Sequence, residues 1–302
     1  MRFSKRLKRT ATFCFVRALT AILNLISRRM ALFTGSTIGL AAWSLLKRDR
    51  YRIFRHLTLV YGDHFAPELK NNIGRNFFVN SGKNLVDAIR FRKHFASEIK
   101  PLVIAEGLEH LDAAYRRGKG LIAVSGHLGN FELGAVYMAS LGYQIAVIGR
   151  EMDDHKLNRL LVANRQALGL TNLSTTESPR KTLSWLKAGG TVGILIDTDS
   201  FRVRSTFVPA FGRLALTPIG MITIGLKAGA AFVPIACVRT DDNRYRIIAK
   251  PEVRIEPSGD FDTDIYHVTA ACTKSLEAII NENVDQWIWL KNRWLTSPQN
   301  RA

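Results

Sequence analysis

From residue 101 onward the chain repeats one texture, and this restricts the fold more than any other feature. Short apolar runs alternate with amphipathic stretches. LIAVS (121–125), YQIAVIG (143–149), TVGILI (191–196) and AFVPIACV (231–238) read as strands. Segments near 131–141, 155–169, 179–188 and 217–229 read as helices, followed by a strand over 245–253 and a helix over 262–283. Such alternation predicts an α/β sheet covered by helices. Residues 50–95 read as helical, with breaks near Gly62 and Pro67. TNLSTTESP (171–179) is the only linker-like stretch and is too short to separate domains. The 302 residues can bury a full core without disulfides or metals. Cys14, Cys237 and Cys272 are far apart and form no CxxC pair, so neither a zinc ribbon nor a disulfide framework is supported, and a reducing, cytosol-facing location is the simpler reading.

The charge is uneven. The net charge is +18, and residues 1–55 hold thirteen basic residues against one acid, Asp49, so this segment carries +12 of it. Basic excess implies an anionic partner, either nucleic acid or anionic lipid. The residues between the charges favour lipid. Residues 11–27 are apolar apart from Arg17 and small polar groups, and residues 30–46 contain no charge. Residues 1–55 therefore read as a membrane-anchoring region, either one short span or a helix lying in the interface of an anionic membrane surface, with two ordinary core helices as the bland alternative. No A-x-A site follows residues 11–27, which argues against a cleaved signal. Residues 56–302 form the second unit, a helical lead-in over 56–100 and an α/β core over 101–302. Beyond residue 60 the basic residues lack interleaved aromatics, which counts against a nucleic-acid module.

The chemistry sits after the strand at 121–125, in SGHLGNFELG. His127 lies on the turn that follows the strand and Glu132 five positions later at a helix start. Functional groups of open α/β sheets gather at the carboxyl ends of strands. A carboxylate holding one imidazole nitrogen leaves the other free to take a proton, so Glu132 is expected to orient His127 as a general base. The bare spacing is common by chance; its place after an apolar strand gives it weight. Backbone N–H groups of Gly129, Asn130 and Phe131 are candidate oxyanion donors. Ser125 stands in S-x-H order and not in a G-x-S-x-G elbow, which argues against a serine hydrolase. The other histidines, including His64 and His155, do not cluster with Cys or carboxylates at ligand spacing, so no metal or other cofactor is expected.

GHLGNFE resembles the first motif of the bacterial lipid A late acyltransferases, within the glycerolipid acyltransferase superfamily. Other blocks agree in the same order: Arg150 after the second strand, Asn164–Arg165 before Gly169, LKAGGTVGILID (186–197), FVPAFGRLALTPIGMITIGLKAGAAFVPI (207–235) and QWIWLKNRW (286–294). The resemblance covers residues 10–295. It departs at Asp197-Thr198-Asp199, where the family often has Asp-Gln, and at Ala210, where a second aromatic is expected. The resemblance implies a mixed central sheet flanked by helices. It implies transfer of a fatty acyl chain from an acyl thioester, on acyl carrier protein or coenzyme A, to a hydroxyl of a membrane glycolipid. It also implies a bacterial cytoplasmic membrane location with the catalytic domain facing the cytoplasm. It points to Arg165 and Asp197 as site residues; Arg150 and Arg165 are candidates to hold lipid phosphates or the phosphopantetheine of the carrier. Transfer to a lysophospholipid or another glycolipid, and an inactive lipid-binding protein, are the alternatives; intact His127 and Glu132 count against the last. Phe131, Trp185, Phe207 and Met221 are candidates to line an acyl groove, with packed core the simpler role for each.

Overall fold

The computed structural model describes residues 2–149, 151–174, 179–201 and 203–298. Four helices lead: α1 (Arg2–Leu25), α2 (Arg28–Leu45), α3 (Lys47–Tyr61) and α4 (Pro67–His94). The α/β part then runs β1 (Val103–Glu106), α5 (Leu108–Tyr115), β2 (Leu121–Ser125), α6 (Phe131–Ser140), β3 (Ile145–Gly149), α7 (His155–Ala167), β4 (Leu170–Ser174), α8 (Pro179–Lys187) and β5 (Thr191–Leu195). It continues with β6 (Ser205–Ala210), β7 (Arg213–Pro218), α9 (Gly220–Ala228), β8 (Ala231–Arg239), β9 (Tyr245–Ala249) and α10 (Phe261–Glu282).

Among the described residues seven strands form one sheet in the order β1-β9-β8-β2-β5-β3-β4. Its pairings are parallel except β8 with β9. Period-two alternation divides the core. Leu121, Ala123, Val233, Ile235 and Cys237 face α5 and α6, while Ile122, Val124, Val192, Phe232 and Val238 join the cluster with α9 and α10. All five residues of β2 are buried, so both faces are covered and the strand reads as an unbroken apolar run.

Two expectations needed revision. The stretch 171–179 is not simply a linker: Leu170–Ser174 is the edge strand β4, paired with β3, and residues 175–178 lie outside the described residues. The helix expected from 217 begins at Gly220, because β6 and β7 form a hairpin that runs to Pro218. Its turn places Phe211 at φ 52° and Gly212 at φ 70°, the double positive φ of a tight hairpin turn.

The amino-terminal helices are tied to the α/β part. No helix among the described residues is long and apolar enough to cross a membrane. The charge-free stretch 30–46 lies largely within α2, which packs along α4. A Cβ at Gly39 would run into the Phe78 carbonyl, and one at Gly82 into the Gly35 carbonyl oxygen, so these glycines permit backbone-to-backbone approach. Arg28, at the start of α2, donates to the buried Asp87 of α4 at 2.9 Å. Other apolar side chains of α1–α3 remain exposed, among them Phe15, Leu25, Met30, Phe33 and Tyr51.

Candidate active site

The site is built where β2 and β5 end side by side. In their parallel register Ser125 pairs with Leu195, which carries the two chains forward so that positions 127 and 197 come opposite each other. His127 Nδ1 lies 2.7 Å from Asp197 Oδ1, and the His127 backbone N–H donates to Oδ2 at 2.7 Å. Trp287 Nε1 donates to the same Oδ2 at 2.8 Å. Gly126 is required between strand and histidine: a Cβ there would meet Asp197 Oδ2 at 2.9 Å. Asp197 is buried. Burial alone would raise its carboxyl, but hydrogen bonds from His127 and Trp287 outweigh this and hold it below the ordinary carboxylate value. An ionised Asp197 accepting from Nδ1–H leaves Nε2 as the basic nitrogen. That nitrogen lies 3.2 Å from Nζ of Lys291, an exposed side chain.

The partner expected for His127 was Glu132, and this is corrected. Glu132 is held by Arg165, whose Nε donates to Oε2 at 3.1 Å and whose Nη2 pairs closely with Oε1. Arg165 Nη1 also donates to Asn172 at 2.7 Å. The reason lies in α6: Asn130 caps it, accepting from the Leu133 N–H at 3.1 Å, and Glu132, in the first turn, pairs with α7. The same contacts hold Arg165 in the fold, with its guanidinium shared between Glu132 and Asn172 and not presented as an open phosphate cradle. Arg150 lies outside the described residues.

The expected oxyanion donors are also corrected in part. Gly129 N–H donates to the Gln286 carbonyl at 3.0 Å and Asn130 N–H to the Cys237 carbonyl at 2.7 Å, so both amides are already used. These bonds fasten the turn to the carboxyl-terminal segment and to β8. Gly129 has φ +58°, and a Cβ there would collide with the Cys237 carbonyl oxygen. Behind the turn, Asn130 Nδ2 donates to Tyr245 Oη at 3.2 Å, and that hydroxyl donates to Asp87 at 2.6 Å.

Residues 286–296 close over the site. Besides Trp287 and Lys291, buried Arg293 donates to the Leu216 carbonyl at 2.7 Å, and Thr296 N–H donates to Asp199 at 2.8 Å. The sequence reading singled out QWIWLKNRW without assigning roles within it. A tryptophan N–H in a polar-flanked segment was the available signal; its target, ninety positions away, was not legible.

One cavity reaches His127, and another lies beside it with Phe131 in the lining of both. A narrow apolar one of about 90 Å³ runs between α6 and the sheet, lined by Ala123, Val147, Gly193, Cys237, Met138 and Phe131, with Glu132 and Arg165 as the polar part of its wall. Of the four groove candidates, Phe131 alone is in that lining; Trp185 and Met221 pack against the core and Phe207 lies in the hairpin. A second cavity, of about 190 Å³, is lined by His127 and Phe131 together with Asn80, Asn84 and Gln286. Ser125 Oγ is near its neighbour's carbonyl, at 3.5 Å from Gly126 O, and burial pushes the Cys237 thiol up to about 12, so neither is an activated nucleophile.

An imidazole with a buried carboxylate behind it, close to an apolar slot, suits transfer of a fatty acyl group. Residues 1–296 match the family model for bacterial lipid A biosynthesis acyltransferase. The chain belongs to that family. It is an O-acyltransferase. It is 27% identical over 272 residues to the lipid A biosynthesis palmitoleoyltransferase of Escherichia coli (strain K12), covering 88% of this chain and 85% of that one. It is 26% identical over 273 residues to the lipid A biosynthesis lauroyltransferase of the same strain, with the same coverage of each. A phosphatidylinositol mannoside acyltransferase of Mycolicibacterium smegmatis is 23% identical over 202 residues, covering 65% of this chain and 64% of that one.

Proposed function

We propose that this acyltransferase moves a fatty acyl chain from an acyl carrier protein thioester to a hydroxyl of a lipid A precursor, with His127 as the general base and Asp197 behind it. The observation that carries this is the geometry of His127: Nδ1 is fixed by Asp197, and the residue lines a cavity that shares Phe131 with the apolar slot. The acceptor hydroxyl gives its proton to Nε2 as its oxygen attacks the thioester carbonyl carbon. The resulting oxyanion falls within reach of Lys291, whose ammonium already lies at hydrogen-bond distance from Nε2. Collapse breaks the carbon–sulfur bond, the electron pair goes to sulfur, and the leaving thiolate takes the proton from Nε2, which returns His127 to its neutral form. A thiolate departs readily, so no acyl-enzyme is required. The acyl chain enters the slot under α6, where each methylene withdrawn from water contributes about 0.8 kcal/mol. Gly134 and Gly193 leave that slot open.

The basic helices α1–α3 hold the enzyme on an anionic bilayer, at the cytoplasmic face of a bacterial inner membrane. Exposed Phe15, Phe33 and Leu45, interspersed with Arg29, Arg48 and Arg52, support an interfacial seat. The relatives that are named for phosphatidylinositol mannoside favour a second reading, the same reaction on another glycolipid or a lysophospholipid, with acyl-CoA as an alternative donor.

The test is a transfer assay with radiolabelled underacylated lipid A precursor and acyl carrier protein charged with C12, C14 or C16 chains. The expected result is a more hydrophobic product from the native enzyme and a loss of about 10²–10⁴-fold in His127→Ala. Product from acyl-CoA with another lipid alone would transfer the reading to that acceptor, and full activity in His127→Ala would overturn the mechanism.

A further inference from the structure

The cavity at His127 does not end there. It shares Asn80 and Gln286 with a larger polar cavity of about 470 Å³ at the same carboxyl edge of the sheet. That volume is in the range of small-molecule sites. Its walls are Asn76, Asn80 and Lys83 of α4, Asp241 and Arg246 beyond and on the β8–β9 hairpin, and Asp285. The cleft thus runs beneath α4, away from the apolar slot under α6, with His127 on the path between them.

The chemistry of the lining is mixed. Lys83 is half-buried and has no hydrogen-bond partner among the described residues; burial, with Arg239 and Arg28 nearby, lowers its ammonium. Asp285 is raised, first by burial and then by Asp241. The cations Lys83, Arg239 and Arg246 are matched by Asp241, Glu282 and Asp285, and Asp87 already holds Arg239. A phosphate would meet three carboxylates here. A saccharide ring would not be repelled, because each hydroxyl both donates and accepts, and amide, carboxylate and ammonium groups serve it together.

We infer that the cleft beneath α4 is the saccharide subsite of the acceptor: it seats a neutral sugar ring of the glycolipid while the neighbouring hydroxyl is offered to His127. This rests on the acyltransferase reading above. It assigns two chambers to two substrates, acyl chain under α6 and sugar under α4.

The test separates donor from acceptor. With purified full-length enzyme in mixed micelles, one reaction measures hydrolysis of acyl carrier protein thioester without acceptor, and a second measures transfer to an underacylated glucosamine-disaccharide lipid. A third uses a lysophosphatidylglycerol acceptor, which has no sugar ring. In Asn76→Ala/Lys83→Met, two residues of the polar cleft that do not line the His127 cavity, the acceptor KM for the disaccharide lipid rises about tenfold or more, while donor hydrolysis stays within twofold. Lys83→Arg, which keeps the donor and the fold, retains most of the affinity. Unchanged KM for the disaccharide lipid in the double variant overturns the subsite. So does an equal rise for the sugar-free acceptor, which would mark a general effect. Absence of hydrolysis and transfer in the native enzyme would instead remove the acyltransferase reading beneath it.

Discussion

Two carboxylates stand near His127, and the fold treats them differently. Asp197 is buried and receives the imidazole N–H, the His127 backbone N–H and the Trp287 indole N–H. Glu132 is partly exposed and paired to Arg165 across α6 and α7, beside the apolar slot. The first arrangement fixes a tautomer and stabilises an imidazolium. The second ties two helices together at the wall of a cavity. Nearness in sequence favoured Glu132, whereas nearness in the sheet favours Asp197, and the comparison teaches that strand register brings together side chains that local spacing cannot pair.

Three changes would break or sharpen that contrast. After substitution of His127 or Asp197 themselves, the largest effect is expected from Lys291→Met: loss of the ammonium beside Nε2 lowers kcat about 10²-fold for transfer and for thioester hydrolysis alike, since both pass through an oxyanion. An unchanged hydrolysis rate would confine Lys291 to acceptor binding. Trp287→Phe should cost less, about tenfold in kcat with about 1 kcal/mol of stability, because one of three donors to Asp197 is removed and the ring remains. No change in either would show that the indole contact is incidental. The smallest effect is in stability against pH. The Asp197 carboxyl is depressed in the folded chain, so its stabilisation is complete above the unfolded value near 3.8 and is lost as pH falls through the lower folded value. Urea titrations of native enzyme and Asp197→Asn should therefore show a stability gap that is constant at neutral pH and narrows in that acid window. A gap that widened on acidification would contradict the assigned charge state.

Much of this was legible in the sequence. The apolar runs became β2, β3, β5, β8 and β9 because strands covered on both faces advertise themselves as continuous hydrophobic segments. The turn carrying His127 was found for the same reason. The edge strand β4 was hidden by its polar sequence TNLS, and the β6–β7 hairpin by a turn that places Phe211, not Asn or Gly, at positive φ. The charge-free stretch in α2 suggested lipid because Gly35 and Gly39 break no apolar pattern; their use in close packing on α4 depends on a partner helix some forty residues away. Within the site, His127 and Asp197 were both named as candidates, but their pairing needed the β2–β5 register. Trp287 and Lys291 belong to a segment that returns to the site only after α10 has crossed the sheet, and no spacing rule reaches that far.

The most direct measurement sets Asp197→Asn against Glu132→Gln in the same transfer assay, with circular dichroism to confirm folding. Both substitutions remove one charge and keep the shape. If Asp197 orients the base, Asp197→Asn loses about 10³-fold or more in kcat while Glu132→Gln loses less than about tenfold. The reverse order, with Glu132→Gln the inactive enzyme and Asp197→Asn active, would contradict the assignment of Asp197 as the residue that holds His127 for catalysis.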